Sequence, residues 1–376
     1  MILLTKKSLI NVSVFIYFVF LILTQEVENY AVFVGFYASL LLCSIVGLYS
    51  QKFIVPLHKI LVILSMVMLT GINLIFVGNA TVNDVVYVVL FALTSFALTS
   101  AQLEENTMLI VLGLNIVVVL YKLLTVGVTG QIYISASRNF VSVFLMYPLV
   151  LYYSIIARKN KDINIIPIVI SWIICLVARG RGGIISCTVF LVAICLIKYK
   201  GMKSTRKLIT TLIFIIGLSI VMLNLPAILA KISGSAVFEL FAANGMRSSR
   251  TSFWPEYLEL ATSNLRNFVL GANTSKTFIG LYLDGNPHNS FIEIHMLTGI
   301  IGVAMVLILL VKSGIRSFKS GNLLFLACMI SMLIRAFTDH VLWASFGTPM
   351  LFFLLFYNDA SDIRAVQLRR ITDGIS

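Results

Sequence analysis

Residues 139–162 read NFVSVFLMYPLVLYYSIIARKNKD, and this stretch decides the class of the fold. Positions 139–157 carry no charged side chain. At ~1.5 Å per residue that is a length fit to cross a hydrocarbon core of ~30 Å. Arg158, Lys159 and Lys161 follow at once, a basic connection of the kind that stays on the cytoplasmic side.

The same alternation of apolar run and short connection fills the chain. Further runs lie at about 8–24, 31–50, 60–77, 84–101, 107–128, 163–178, 184–198, 208–225, 297–311, 323–338 and 341–357. The expectation is an all-α polytopic membrane protein of about 12 transmembrane helices. Helices 1–9 fall within 1–225 and helices 10–12 within 297–357. One large periplasmic loop over 226–296 holds short amphipathic helices and the chemistry, and 358–376 is a cytoplasmic tail.

Composition agrees. Of 376 residues, 59% are hydrophobic and 11% charged, with mean hydropathy +1.01, whereas soluble domains carry about 25% charge. A soluble globule is excluded. The net charge of +13 would suggest nucleic acid in a soluble chain; here the cations sit in short connections, and no nucleic-acid partner is expected. The five cysteines, Cys43, Cys175, Cys187, Cys195 and Cys328, all lie in apolar runs without metal-ligand spacing, so they read as packing residues. Lys6 and Lys7 precede the run 8–24, which reads as a first span and not as a cleaved leader.

With the N-terminus cytoplasmic, most cations fall in inner connections, and an even span count puts both termini inside. The exceptions among the 28 Lys and Arg residues are Lys122, Arg138, Arg179, Arg181, Lys231, Arg247, Arg250, Arg266, Lys276 and Arg335. Cations held on the outer side against the orientation bias point to partners or to function.

Four constellations there can carry chemistry. Asn286-Pro287-His288-Asn289-Ser290-Phe291, with Glu293, leads into Thr298-Gly299-Ile300-Ile301-Gly302; His288 is either a general base or a loop histidine without a role. Arg247 and Arg250, with Trp254 one helical turn beyond Arg250, form either a phosphate site or a headgroup anchor with an interfacial tryptophan. Arg179-Gly180-Arg181-Gly182-Gly183 is a two-arginine turn in which the glycines admit a close backbone or ligand; the bland reading is interfacial snorkelling. Arg335 and Asp339, one turn apart beside His340, are expected to neutralise each other, with Asp339 orienting an active-site group. Arg138 is a further candidate for anion contact. No Asp-x-Asp pair or histidine cluster is apparent, so metal-independent chemistry is expected.

Together these pieces resemble the O-antigen polymerase and O-antigen ligase superfamily. The His-Asn-Ser-Phe-x-Glu segment running into Thr-Gly-Ile-Ile-Gly is similar to its signature. Arg181-Gly182-Gly183 resembles its Ser/Thr-Arg-Gly turn, Arg250 with Trp254 and then Asn267–Gly271 its Arg-x-x-x-Trp segment, and Thr338-Asp339 its late aspartate. The resemblance runs from about Arg138 to the C-terminus. Arg179 competes with Arg181, and Arg247 with Arg250, for the family's two arginines; glycine and tryptophan context favour Arg181 and Arg250.

The resemblance implies a membrane glycosyltransferase that uses undecaprenyl-diphosphate-linked oligosaccharides as donor and acceptor at the periplasmic face of a bacterial inner membrane. His288 would be the base. Arg250 and Arg181 would be catalytic, and Arg138, Arg179, Arg247, Asn289, Trp254 and Asp339 would bind substrate or diphosphate. No cofactor is implied, and a chain-length regulator is an admissible partner. A polymerase is preferred over a ligase acting on lipid A-core, because the loop between Arg250 and His288 is lean. A polysaccharide flippase is the alternative from another class, but no repeat symmetry supports it.

Overall fold

The computed structural model describes residues 5–127, 132–133, 137–208, 210–211, 250–343 and 349–357. The helices are α1 (Lys6–Glu26), α2 (Tyr30–Ser50), α3 (Leu57–Phe76), α4 (Val82–Leu98), α5 (Glu105–Thr125), α6 (Phe140–Lys159), α7 (Ile166–Ala178), α8 (Arg181–Gly201), α9 (Arg250–Thr262), α10 (Leu265–Leu270), α11 (Phe278–Tyr282), α12 (Ser290–Lys319), α13 (Leu323–Thr338) and α14 (Met350–Phe356). No strand occurs among the described residues. Seven helices, α1, α2, α3, α5, α6, α8 and α12, are long and apolar enough to cross a membrane, and α4, α7 and α13 are shorter apolar helices. The architecture is that of a multi-pass membrane protein.

The expected count of 12 is not reached among these helices. The ninth run, 208–225, falls almost wholly outside the described residues. Among the described residues of the twelfth, helix covers the 7 residues of α14, all of them buried.

Why these segments are helices is local. Thr5, Asn29 and Asn289 cap α1, α2 and α12 with side-chain oxygens, and Thr81 and Asp84 form a reciprocal capping box on α4. The stretch that decided the fold becomes the central helix. Every residue of α6 from Phe140 to Ile156 is buried, as befits a helix apolar on all sides. It packs on α5, α13, α7 and α8, while α2 pairs with α1 and α4, and α12 with α3 and α13.

The basic connections gather at one end of the bundle. There Arg158 donates to the carbonyls of Thr99 (2.7 Å) and Ser100 (2.6 Å), closing the end of α4. Lys159 and Lys161 bind Glu105, and Lys7 binds Glu104 at 2.5 Å. Glu104 and Glu105, at the start of α5, are therefore partners of the cations around them.

At the other end, α12 is broken. Gly299 has φ 65° and ψ −171°, which splits the helix into a first segment from Ser290 to Thr298 and a long span beyond it. A side chain at Gly299 would run into the Val269 carbonyl, so the break lets α10 lie against the backbone. The large loop was expected to run to 296; helix instead begins at Ser290, and the span proper starts close to the expected 297.

Two asparagines, one in the last turn of α3 and one just past its end, bind this corner. Asn73 donates to Leu270 O (2.7 Å) and Met296 O (2.8 Å), and Asn79 donates to Ala272 O and to Met296 O (3.2 Å). His295 adds a third tie. Its Nε2 donates to Phe268 O at 3.0 Å, so Nδ1 accepts from the Tyr257 hydroxyl at 2.6 Å. Burial pushes the Tyr257 hydroxyl above its ordinary value, which keeps it a donor.

Candidate active site

The site is assembled around the carboxylate of Asp339, just past the end of α13. Asp339 is 1% exposed. Its Oδ2 accepts from Arg335 Nη2 at 3.0 Å, and its Oδ1 accepts from His288 Nδ1 at 3.0 Å and from the His340 amide at 3.1 Å. The carboxylate thus joins a buried guanidinium to an imidazole.

Arg335, also 1% exposed, is satisfied on every side. Nε donates to Ser142 Oγ (3.0 Å), Nη1 to Thr338 Oγ1 (3.0 Å), and Nη2 to Asn139 O (2.8 Å) as well as to Asp339. A buried ion pair is tolerable when its remaining polar atoms are bonded in this way. The expected neutralisation of Arg335 by Asp339 is present, and the arginine also ties α13 to the start of α6.

His288 is held by its own loop. Its backbone is left-handed, φ 48°, and its amide donates to Asn286 Oδ1 at 2.8 Å. Asn289 caps α12 through Oδ1 and reaches Phe337 O through Nδ2 at 3.3 Å. Ser290 Oγ donates to Asp339 O (2.9 Å) and accepts from the amides of Val341 (2.8 Å) and Leu342 (3.1 Å). Loop and α13 terminus are therefore stitched by both side chain and backbone. The His288 ring stacks on His340 at 5.9 Å and 10°, and His340 leans on Phe140 at 5.4 Å.

An acceptor-only carboxylate at Nδ1 places the hydrogen of a neutral ring there and leaves the Nε2 lone pair to act as a base. The His288 side chain is 27% exposed, which gives a substrate access to it. That is the arrangement of an oriented general base.

Trp254 on α9 donates from Nε1 to Pro287 O at 2.8 Å. It braces the residue before His288, so its hydrogen bond serves the loop and not a lipid headgroup. The α9 helix begins at Arg250, one turn before Trp254 on the same face; of Arg250 only the backbone position is described, and Arg247 lies outside the described residues.

The two-arginine turn is also at the site. Arg179 ends α7 with φ 57°, and Arg181 is the first residue of α8 after Gly180. A side chain added at Gly180 would come 3.4 Å from the carbonyl of Arg138, and one at Gly182 would come 2.6 Å from Thr338 Oγ1. The turn thus presses onto the start of α6 and the end of α13, and Arg138, Arg179 and Arg181 share one corner with Arg335 and Asp339. All three are half-buried.

One expectation is corrected. The linear sequence displayed no histidine cluster, yet His288, Asp339 and His340 bring ligand-type atoms within 4.8 Å of one another. Two histidines and a carboxylate are a set that divalent ions accept. The donor set fits an ion poorly, because the guanidinium of Arg335 already holds Oδ2 of the same carboxylate and would repel a second cation.

Sequence reasoning assigned no role to His340, Asn286, Ser290, Asn139 or Ser142. Ser142 carries a signal in retrospect: it is one of two serines, with Ser154, in an uncharged run of membrane length. Asn286 and Ser290 flank the histidine, but their partners are about fifty positions away. No known family model matches the chain, and no curated protein matches its sequence.

Proposed function

We propose that the protein is a glycosyltransferase that polymerises undecaprenyl-diphosphate-linked oligosaccharides at the outer face of a bacterial inner membrane. The observation that carries this reading is the His288–Asp339–Arg335 chain beside the turn bearing Arg179 and Arg181. It sets an oriented base next to fixed positive charge, the two things that transfer from a diphosphate donor requires.

In the step, an acceptor sugar hydroxyl gives its proton to His288 Nε2 while its oxygen attacks the anomeric carbon of the donor sugar. The bond from that carbon to the diphosphate oxygen breaks, and the electron pair leaves with the undecaprenyl diphosphate. Attack opposite the leaving group inverts the anomeric centre. Charge growing on the diphosphate would be met by Arg181, with Arg138 and Arg179 beside it; Arg250 and Arg247 are assigned to the same task from the sequence alone. The chemistry needs no metal. The gathering of basic connections at the opposite end of the bundle supports a cytoplasmic placement for both termini. The loop from α9 to α11 is a set of short helices with no separate binding domain, which favours polymerase over ligase.

The test is deletion of the gene, read on a lipopolysaccharide gel, followed by complementation. Deletion should leave core carrying a single repeat unit. Bare core with accumulating lipid-linked polymer would instead make the chain a ligase, and accumulation of cytoplasmic intermediates would make it a flippase. Complementation with His288→Ala should slow chain extension about 10²- to 10⁴-fold while membrane abundance stays unchanged; long chains at normal rate would sink the assignment of the base.

A further inference from the structure

His288 is held in a backbone conformation that a side chain disfavours, φ 48°. The tie that keeps it there is the bond from its amide to Asn286 Oδ1 at 2.8 Å, a turn closed by the asparagine side chain two residues before. With Oδ1 committed, the other end of the same amide is set. Asn286 Nδ2 faces His340 Nε2 at 3.4 Å. An amide nitrogen only donates, so His340 Nε2 accepts and the hydrogen of its neutral ring is on Nδ1.

His340 is itself fixed from elsewhere. Its amide donates to Asp339 Oδ1 at 3.1 Å, and its ring leans on Phe140, the first residue of α6, at 5.4 Å. It is 6% exposed, so it stands behind the site as a wall, and His288 is the ring open to a substrate. The two imidazoles lie near parallel, 5.9 Å apart. When His288 takes a proton, a neutral ring beside it does not oppose the new charge, whereas a protonated one would. A protonated His340 would also set a donor against the donor Nδ2, and turning the amide to relieve this would take the acceptor away from the His288 amide. Asn286 thus satisfies both histidines only while His340 is neutral.

We propose that His340 is a positioning residue for the transfer: its Nε2 anchors the Asn286 amide, which clamps the His288 backbone and keeps the His288 imidazole at its station against Asp339. This rests on the glycosyl-transfer reading above, in which the proton itself goes to His288.

The experiment uses the full chain purified in detergent, with thermal unfolding to confirm that each variant is folded. Lipid-linked oligosaccharide extracted from cells lacking the gene is titrated as substrate, and chain extension gives kcat and KM. His340→Phe keeps a ring and removes the acceptor; kcat should fall about 10- to 100-fold with KM unchanged. His340→Gln carries a carbonyl oxygen out to the place of Nε2 and should keep kcat within about threefold of wild type. If His340→Phe fails to fold, His340→Asn replaces it, since its amide is one carbon too short to reach Asn286. Asn286→Ala should lose as much kcat as His340→Phe, and the double variant no more than the larger single loss. His288→Ala should lose kcat at every substrate concentration, and full transfer by it overturns the underlying reading. With His288→Ala dead, three results each overturn the role of His340 and leave the transfer reading intact: wild-type kcat in His340→Phe, a His340→Gln variant no better than His340→Phe, or losses that multiply in the double variant.

Discussion

Two arginines at opposite ends of the bundle show how the same side chain is put to different use. Arg158, among the basic connections, spends its guanidinium on the carbonyls of Thr99 and Ser100 and lies over the Tyr357 ring at 5.9 Å. It closes the end of one helix with another. Arg335 is buried at the other end and bonds to Ser142 and Asn139 at the start of α6, to Thr338 on its own helix, and to Asp339 just beyond it. Through Asp339 that fixed charge is felt at His288. The lesson is that a cation bonded to carbonyls holds a fold, whereas one bonded to a carboxylate can also set the orientation of whatever shares that carboxylate.

The sharpest way to break this contrast is Arg335→Ala. It leaves the buried charge of Asp339 without its guanidinium and unties α6 from α13. A loss of about 3–5 kcal/mol in stability is expected, read as thermal unfolding in detergent, together with loss of chain extension. Retention of wild-type stability would show that Arg335 is not the strut described.

Asp339→Asn tests the chemical half alone. The amide keeps the volume but presents a donor to either His288 or Arg335, so the imidazole loses its orienting acceptor. Chain extension should fall about 100-fold with a smaller loss of stability than Arg335→Ala. An active Asp339→Asn variant would reduce Asp339 to a packing role.

Arg158→Ala completes the comparison with the smallest functional effect. Two charged hydrogen bonds are lost, for about 1–3 kcal/mol of stability, yet turnover per folded molecule should equal wild type. A fall in turnover as large as that of Asp339→Asn would erase the distinction between the two ends.

How much of this was legible in the sequence depends on the range of each signal. The apolar helices were legible because hydrophobic run length is a local property. The ion pair Arg335–Asp339 was legible because i and i+4 meet on one helix face. Trp254 was noticed for its spacing from Arg250, but its hydrogen bond to Pro287 crosses 33 positions, and no helical period reports such a contact. The break at Gly299 left only a glycine in the sequence; its cause is the backbone of Val269 and Leu270 pressing from another element.

The sequence by itself determined that this chain is a multi-pass helical membrane protein, because an uncharged run of membrane length has one low-energy solution in lipid, with every backbone group bonded within the helix. It also supplied the residue types from which the candidate site is made. Only the tertiary structure decided that His288, Asp339, Arg335 and the Arg179–Arg181 turn meet. Their approach is set by how α6, α8, α12 and α13 cross, and those crossings depend on residues far apart in the chain, such as the hydroxyls of Ser142 and Ser290 and the bare backbone of Gly182, whose contacts no local pattern encodes.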